Sequence, residues 1–404
     1  MKQGLLSVDD ALLRLLAGAG TPADPETVPT LQAVGRVLAR SQYSTINVPP
    51  MDTSFMDGYA VRCADLGGTA TRLPVSQRIA AGHVGAPLAA GTAARIFTGA
   101  EIPPGADAVV MQEACEAAEG NGDAILIRHS PKPGEWITCR GADIAAGAEI
   151  LAAGIRLRPQ EAGLAASVGI AELPVFPGLK VAVFFTGDEL VMPGEPLPPG
   201  AIYNSNRFVL TSLLTRFGCE VTDYGIVPDR LDCTRAVLRE AASGHDLILT
   251  SGGVSVGEED HVRPAVEAEG ELSMWRIAVK PGKPLAFGKV GRAAFIGLPG
   301  NPVSSFVTFL VLVRPFILAS QGIEKTEPVS QPMRADFDWP KPDVRREFLR
   351  VKLNDSGGLD LFPNQSSVVL TSTAWADGLV DNPERNPVCR GDIVRYLPFS
   401  GLFD

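Results

Sequence analysis

Residues 246–260 read DLILTSGGVSVGEED. Asp246–Thr250 is an apolar run with no polar–apolar alternation, as in a strand buried on both faces. It ends in a Gly/Ser turn, and the turn runs into three carboxylates. Gly252 and Gly253 can adopt positive φ and let backbone N–H groups approach a ligand. Ser251 and Ser255 add hydroxyls. Consecutive N–H groups make an anion nest, which a following helix N-terminus strengthens. No Lys-Ser/Thr follows Gly257, so this is not a Walker A loop, and the spacing is not G-x-G-x-x-G.

The neighbouring chain repeats that grammar. Val181–Phe185 is a second apolar run, and Glu220–Val227 is a third strand. Helices are expected over Asn206–Phe217, ending at Gly218, and over Leu231–Ala242. A further helix is expected over Val303–Ala319. Strands alternating with helices predict a mostly parallel sheet covered on both faces. Ligands in such folds sit beyond the carboxyl ends of the strands.

The stretches expected on that rim are TGDEL (186–190), VPD (227–229), TSGGVSVGEED (250–260), and the pair VKPGKPLAFG (279–288) and GLPGNPVSS (297–305). Each alone reads better as a tight turn. Together on one rim they read as a binding site. In KPGKP, Pro281, Gly282 and Pro284 hold Lys280 and Lys283 on a stiff loop, which suits phosphate or another oxyanion. In GLPGNPVSS, Pro299, Gly300 and Asn301 turn the chain into a helix start facing Ser304 and Ser305. The rim acids are Asp188, Glu189, Asp229, Glu258, Glu259 and Asp260. Carboxylates beside phosphates suit Mg²⁺. Glu258 and Glu259 read better as charges at a helix start, which leaves Asp260 the stronger ligand. His83, His129, His245 and His261 are too dispersed for a zinc site.

Outward from this block, three further regions are expected. Segments 1–47 and 144–176 form a discontinuous, elongated helical domain. In it Ser7 caps a first helix, and Pro159 and Gly169 bracket another. Residues 48–143 form a β-rich inserted domain, with short runs such as Ala94–Thr98, Ala108–Gln112 and Ile125–His129. Residues 177–330 are the three-layer αβα domain. Residues 331–404 form a C-terminal, barrel-like β domain with strands over Phe348–Leu353, Val368–Ser372 and Ile393–Leu397. The fold class is therefore multidomain α+β and α/β.

The chain has 404 residues, 36 basic and 46 acidic, for a net charge of −10. At about 150 residues per domain, two to four domains fit. The acidic balance argues against nucleic acid and anionic membranes as partners. Six scattered cysteines without a C-x-x-C pair suggest reduced thiols and a cytoplasmic setting. Asp9, Asp10 and Arg14 interrupt any signal-peptide-like core, and no run approaches the roughly 18 uninterrupted apolar residues of a membrane span.

Taken in order, TGDEL, NSNR (204–207), SGGVSVGEED, KPGKPLAFG and GLPGNPVS resemble the molybdopterin molybdenumtransferase family. That family includes the bacterial MoeA-type enzymes and the E domains of homologues such as gephyrin. MDGYAVR (56–62), IFTGAEIPPGADAVVMQE (96–113) and RGADI (140–144) match as well, so the resemblance covers nearly the whole chain. It implies a homodimer with its active site at the subunit interface. It also implies a reaction in which molybdate and adenylylated molybdopterin give molybdenum cofactor and AMP, with Mg²⁺.

Carried over by motif, Ser251–Ser255 and Lys280–Lys283 would hold the phosphates and dithiolene end. Asp188, Glu189, Asp229 and Asp260 would surround the metal and the adenylate. Lys283, Ser304, Arg350 and Ser367 would bind molybdate. Asp57, Thr98 and Asp143 match residues that influence the site. The chain departs from the family at Phe55, where a small residue is usual, and at Ala142, where glutamate is usual. Two alternatives stay open: the adenylylating enzyme of the same pathway, which would need ATP recognition, and a non-catalytic scaffold of the same fold. Other proteins of molybdenum cofactor biosynthesis are possible partners.

Overall fold

The computed structural model describes residues 5–20, 22–68, 70–118, 123–253 and 261–403. The chain divides into two compact units, residues 27–34 with 40–173, and residues 1–26 with 35–39 and 174–404.

In the first unit a six-stranded sheet is built from strands between Gly58 and Ile127. Its pairs are antiparallel except Thr71–Ile79 with Ala93–Ile96. Side chains alternate along a strand, so neighbouring residues enter different cores. Ala60, Ala94 and Val109 fill one, while Val61, Ala93 and Val110 fill the other. Gly58 sits where an added Cβ would lie 2.0 Å from the Val110 carbonyl oxygen. Outside the sheet, Gln42–Tyr43 pairs with Glu149–Leu151, which brings the chain on either side of the β-rich block together. The helix Pro159–Ser167 has Pro159 in its first turn, and Gly169 follows it at φ 82°. Among the described residues of segments 1–47 and 144–176, α-helix occupies Val8–Ala17 and Pro159–Ser167 alone.

The second unit holds the sheet anticipated from 246–260. Its strands are β1 (Lys180–Thr186), β2 (Glu220–Val227), β3 (Leu247–Ser251), β4 (Gly270–Arg276), β5 (Pro284–Val290) and β6 (Ala293–Leu298). Their spatial order is β2-β1-β3-β6-β5-β4. The first four run parallel, and β5 and β4 are antiparallel additions.

The helices are α1 (Val8–Ala17), α2 (Ser205–Arg216), α3 (Leu231–Gly244), α4 (Val262–Glu269) and α5 (Pro302–Ser320). Val181, Val183 and Phe185 pack toward α1, α2 and α5, while Ala182 and Phe184 pack toward α3 and α4. Burial on both faces is why these strands carry no alternation. Ser7 caps α1, accepting from the Asp10 amide at 3.0 Å. Within α5 a π turn over Phe309–Val313 precedes Pro315, whose missing N–H breaks the regular ladder. Among the described residues α5 alone is long and apolar enough to cross a membrane, but 89% of its apolar window lies in the core.

The C-terminal strands Gln331–Arg334, Arg346–Leu353, Gly378–Asn382 and Ile393–Pro398 form a mixed sheet with Val279–Lys280. One face joins the α/β core through Phe348, Leu379 and Leu397, and the other is filled by Leu349, Val351 and Val380. The strand expected over Val368–Ser372 does not form. A turn leads into a short helix, Thr371–Trp375, and the Ser372 and Thr373 hydroxyls bond to carbonyls three residues back. Such local hydroxyl bonds compete with a sheet ladder.

Candidate active site

A cavity of about 1060 Å³ opens at the carboxyl ends of the parallel strands. Each wall follows from a local chain reversal. β1 ends at Thr186, and Gly187 turns the chain at φ 146°. β3 ends at Ser251, and Gly252 follows at φ 98°. A Cβ on Gly252 would lie 2.6 Å from the Thr186 carbonyl oxygen, and one on Gly253 would lie 2.5 Å from Val262 Cγ2. Glycine is therefore required there by space as well as by φ. β6 ends at Leu298, and Pro299–Gly300 leads into α5. Glu189 and Asp229 line the cavity from the ends of β1 and β2.

KPGKP reaches the same rim by another route. It precedes β5, and because β5 is antiparallel its amino end lies beside the carboxyl end of β6. The loop was expected at the carboxyl end of a strand; strand reversal puts it on that edge instead. Gly282, at φ 118°, packs where a Cβ would meet Thr308 Oγ1 at 2.2 Å.

Many of the polar groups are bonded to one another. Gly252 N–H donates to Leu298 O at 3.2 Å, so this part of the expected anion nest is structural. In the first turn of α5, Pro302 has no N–H and Val303 N–H donates to Ser367 O at 3.0 Å. The helix start is thus narrower as an anion site than expected. The same bond, with Asn301 Nδ2 to Ser367 Oγ at 3.2 Å, places Ser367 on the cavity wall as anticipated. Ser304 lines the cavity and Ser305 is buried behind it.

The cations divide into paired and unpaired. Lys280 lines the cavity, but its Nζ lies 3.0 Å from Glu347 and 3.4 Å from Asp343. Glu347 is fully buried and also accepts from Trp339 Nε1 at 2.8 Å and Asp343 N at 3.0 Å. Arg345, also on the wall, forms a bidentate pair with Asp343 and holds that carboxyl well below the usual range. Lys283 has no carboxylate partner among the described residues.

Arg350, expected to bind molybdate, is 1% exposed and does not line the cavity. Its guanidinium donates to Ser372 Oγ, Phe348 O and Ser366 O, and burial lowers it to about 10. It props the Ser366–Ser367 loop from behind. Its place in strand Arg346–Leu353, which lies against the core, takes it inward.

Asp188 is exposed and away from the cavity wall. Ser255, Gly257, Glu258, Glu259 and Asp260 lie outside the described residues. In the other unit, Asp57 accepts from Thr98 N at 2.8 Å and Oγ1 at 2.7 Å, which together hold its carboxyl below the usual range. Asp143 is exposed, and its amide donates to Val48 O. Phe55 stacks on Trp136 with centroids 6.0 Å apart, and Ala142 is exposed, where a larger side chain has room.

Sequence reasoning missed Asn206, Arg345, Glu347 and Gln365. Gln365 exchanges bonds with the Arg350 backbone at both ends of its amide. Asn206 stood in the NSNR stretch without a role. Glu347 carried no signal, because a buried acid inside an apolar strand declares itself only through distant partners.

Residues 6–169 match the family model for the MoeA N-terminal region (domains I and II). Residues 182–319 match a probable molybdopterin binding domain, and residues 332–399 the MoeA C-terminal region (domain IV). A molybdopterin molybdenumtransferase of Haemophilus influenzae is 39% identical over 98% of this chain and 100% of its own. One of Bacillus subtilis is 31% identical over 88% of this chain and 84% of its own. The molybdopterin biosynthesis MoeA protein of Pyrococcus horikoshii has a crystal structure that superposes with TM-score 0.84 at 29% identity, covering 98% of this chain and 100% of that one. The chain belongs to the MoeA-type molybdopterin molybdenumtransferase family.

Proposed function

We propose that the protein transfers molybdenum from molybdate into adenylylated molybdopterin and releases AMP. The observation that carries this is the cavity itself, set at the strand rim of the segment matched as a molybdopterin binding domain and lined by Lys283, which has no carboxylate partner among the described residues. Both substrates are anionic while the protein is acidic, so attraction has to be local.

Lys283, the Gly253 amide and the Ser304 hydroxyl offset charge where the anions meet. Fixed donors do this without reorganising as the reaction proceeds. Holding molybdate and the dithiolene in one rigid cradle supplies proximity. Lys280 and Arg345, tied to Glu347 and Asp343, keep the KPGKP loop in place.

Among the described residues no group of three His, Cys, Asp or Glu side chains is gathered to hold a metal. Two cavity carboxylates, Glu189 and Asp229, still fit Mg²⁺, which keeps several waters and takes one or two protein carboxylates. Asp260 is the third proposed ligand. When bound, Mg²⁺ would neutralise phosphate charge on the leaving AMP. A homodimer and a cytoplasmic setting belong to the same proposal.

The test incubates purified protein with adenylylated molybdopterin and molybdate. AMP is measured by chromatography, and cofactor by reconstitution of an apo-molybdoenzyme. The expected result is AMP and active cofactor in equal amounts, both requiring molybdate. Consumption of ATP with free molybdopterin, or AMP release indifferent to molybdate, would overturn it.

A further inference from the structure

Asn206 lies in the first turn of α2 and lines the cavity. Its Nδ2 donates to Ser251 Oγ at 2.8 Å and to Gly300 O at 2.8 Å. The orientation of this amide is forced. The Gly300 carbonyl can only accept. Ser251 gives its own hydroxyl proton to Pro299 O at 3.0 Å, so toward Asn206 it also accepts. Turning the amide over would face its oxygen with two acceptors and lose both bonds. Both Nδ2 hydrogens are therefore committed to the wall. The carbonyl oxygen, Oδ1, is left without a donor among the described residues.

We infer that Asn206 Oδ1 is a specificity-determining acceptor that reads a neutral N–H or O–H donor on the substrate. This rests on the molybdopterin reading above and deepens it. An amide oxygen cannot hold a phosphate or molybdate oxygen, because both are acceptors. It therefore marks where a neutral, donor-bearing part of the substrate passes, beside the cationic ground of Lys283. The pterin, with its ring N–H and amino groups, and the adenosine, with its hydroxyls and amino group, both offer such donors. A rigid acceptor discriminates better than a mobile one, since an analogue lacking the donor leaves it buried and unpaired.

The test titrates full-length protein with two probe series by calorimetry. One is AMP with its 2′-deoxy, 3′-deoxy and 6-desamino forms. The other is pterin-6-carboxylate with its lumazine counterpart, in which a carbonyl replaces the amino group. Wild type should lose about tenfold in affinity on removal of one particular donor. Asn206→Ala should bind the parent and that analogue within about twofold of each other. Which series carries the loss tells pterin from nucleotide. A purely structural staple would weaken every probe by the same factor and preserve the wild-type ratio, and that result overturns the inference. So does a wild type indifferent to every deletion, a measurement that needs no variant to fold. If wild type binds neither parent and releases no AMP with molybdate, the functional reading itself has failed and takes this inference with it. Binding without discrimination sinks the inference alone.

Discussion

Replacing Lys280 by methionine tests whether its ammonium is a strut or a substrate cation. Its Nζ is 3.0 Å from Glu347 and 3.4 Å from Asp343, and lies 5.9 Å from the Trp339 ring centroid. The Lys280 side chain is 34% exposed and that of Glu347 is 1% exposed. Breaking a fully buried pair costs roughly 3–5 kcal/mol, and an exposed one about 0–1 kcal/mol. The half-exposed lysine pulls the figure down. Trp339 Nε1 and Asp343 N keep bonding Glu347 Oε2, so the loss falls on Oε1 alone, which Lys280 faces. The expected loss for Lys280→Met is about 2 kcal/mol, or roughly 4 °C in melting temperature. In a double-mutant cycle with Glu347→Gln the coupling should be about 1–2 kcal/mol. Thermal melts and denaturant titration read both. Molybdenum insertion by Lys280→Met should stay within about tenfold of wild type, because that charge is already spent. Lys283→Met should lose at least about a hundredfold. The reasoning is refuted if Lys280→Met melts like wild type yet loses as much activity as Lys283→Met.

Gly282→Ala should destabilise by about 2–4 kcal/mol, since φ is 118° and the new Cβ would lie 2.2 Å from Thr308 Oγ1. Adding Thr308→Ala should recover part of that in a melt; a neutral Gly282→Ala would show that the loop is not pinned there. Burial pushes the Cys63 and Cys115 thiols up to about 11, with Asp107 adding to the effect at Cys63. Both stay protonated at pH 8, and their thiolate fraction should rise about tenfold per pH unit from 8 to 10. Peptide mapping after iodoacetamide should find the exposed Cys139 and Cys389 labelled first. Equal labelling of Cys63 and Cys139 at pH 8 would contradict this.

The layered core was readable because strands buried on both faces leave apolar runs, and because Gly and Pro punctuate their ends. Val181–Phe185, Glu220–Val227 and Asp246–Thr250 all form strands close to their expected bounds. Val368–Ser372 misled because an apolar run of that length suits a strand or a turn, and hydroxyl bonding decided it. The direction of β5 was not readable, since no local pattern distinguishes a parallel from an antiparallel neighbour in a buried sheet. Arg350 and Lys280 show a further limit. A motif states that a cation stands at a position; whether it faces a cavity or a buried carboxylate depends on partners far along the chain.

That distinction reorganises the site. Ser251, Gly252, Asn301 and Val303 are committed to holding neighbouring loops, and Lys280, Arg345 and Arg350 to holding carboxylates or carbonyls. These bonds fix the wall before any ligand arrives, so little order has to be acquired on binding. Among the described residues the uncommitted groups are chemically unlike: donors at the Lys283 ammonium, the Gly253 amide and the Ser304 hydroxyl, an acceptor at the Asn206 carbonyl oxygen, and the Glu189 carboxylate. A site meant for phosphate alone would show only donors. Cationic, neutral-acceptor and anionic groups on a single wall suit the proposed ligand, with an anionic end, a neutral donor-bearing ring and a proposed divalent metal.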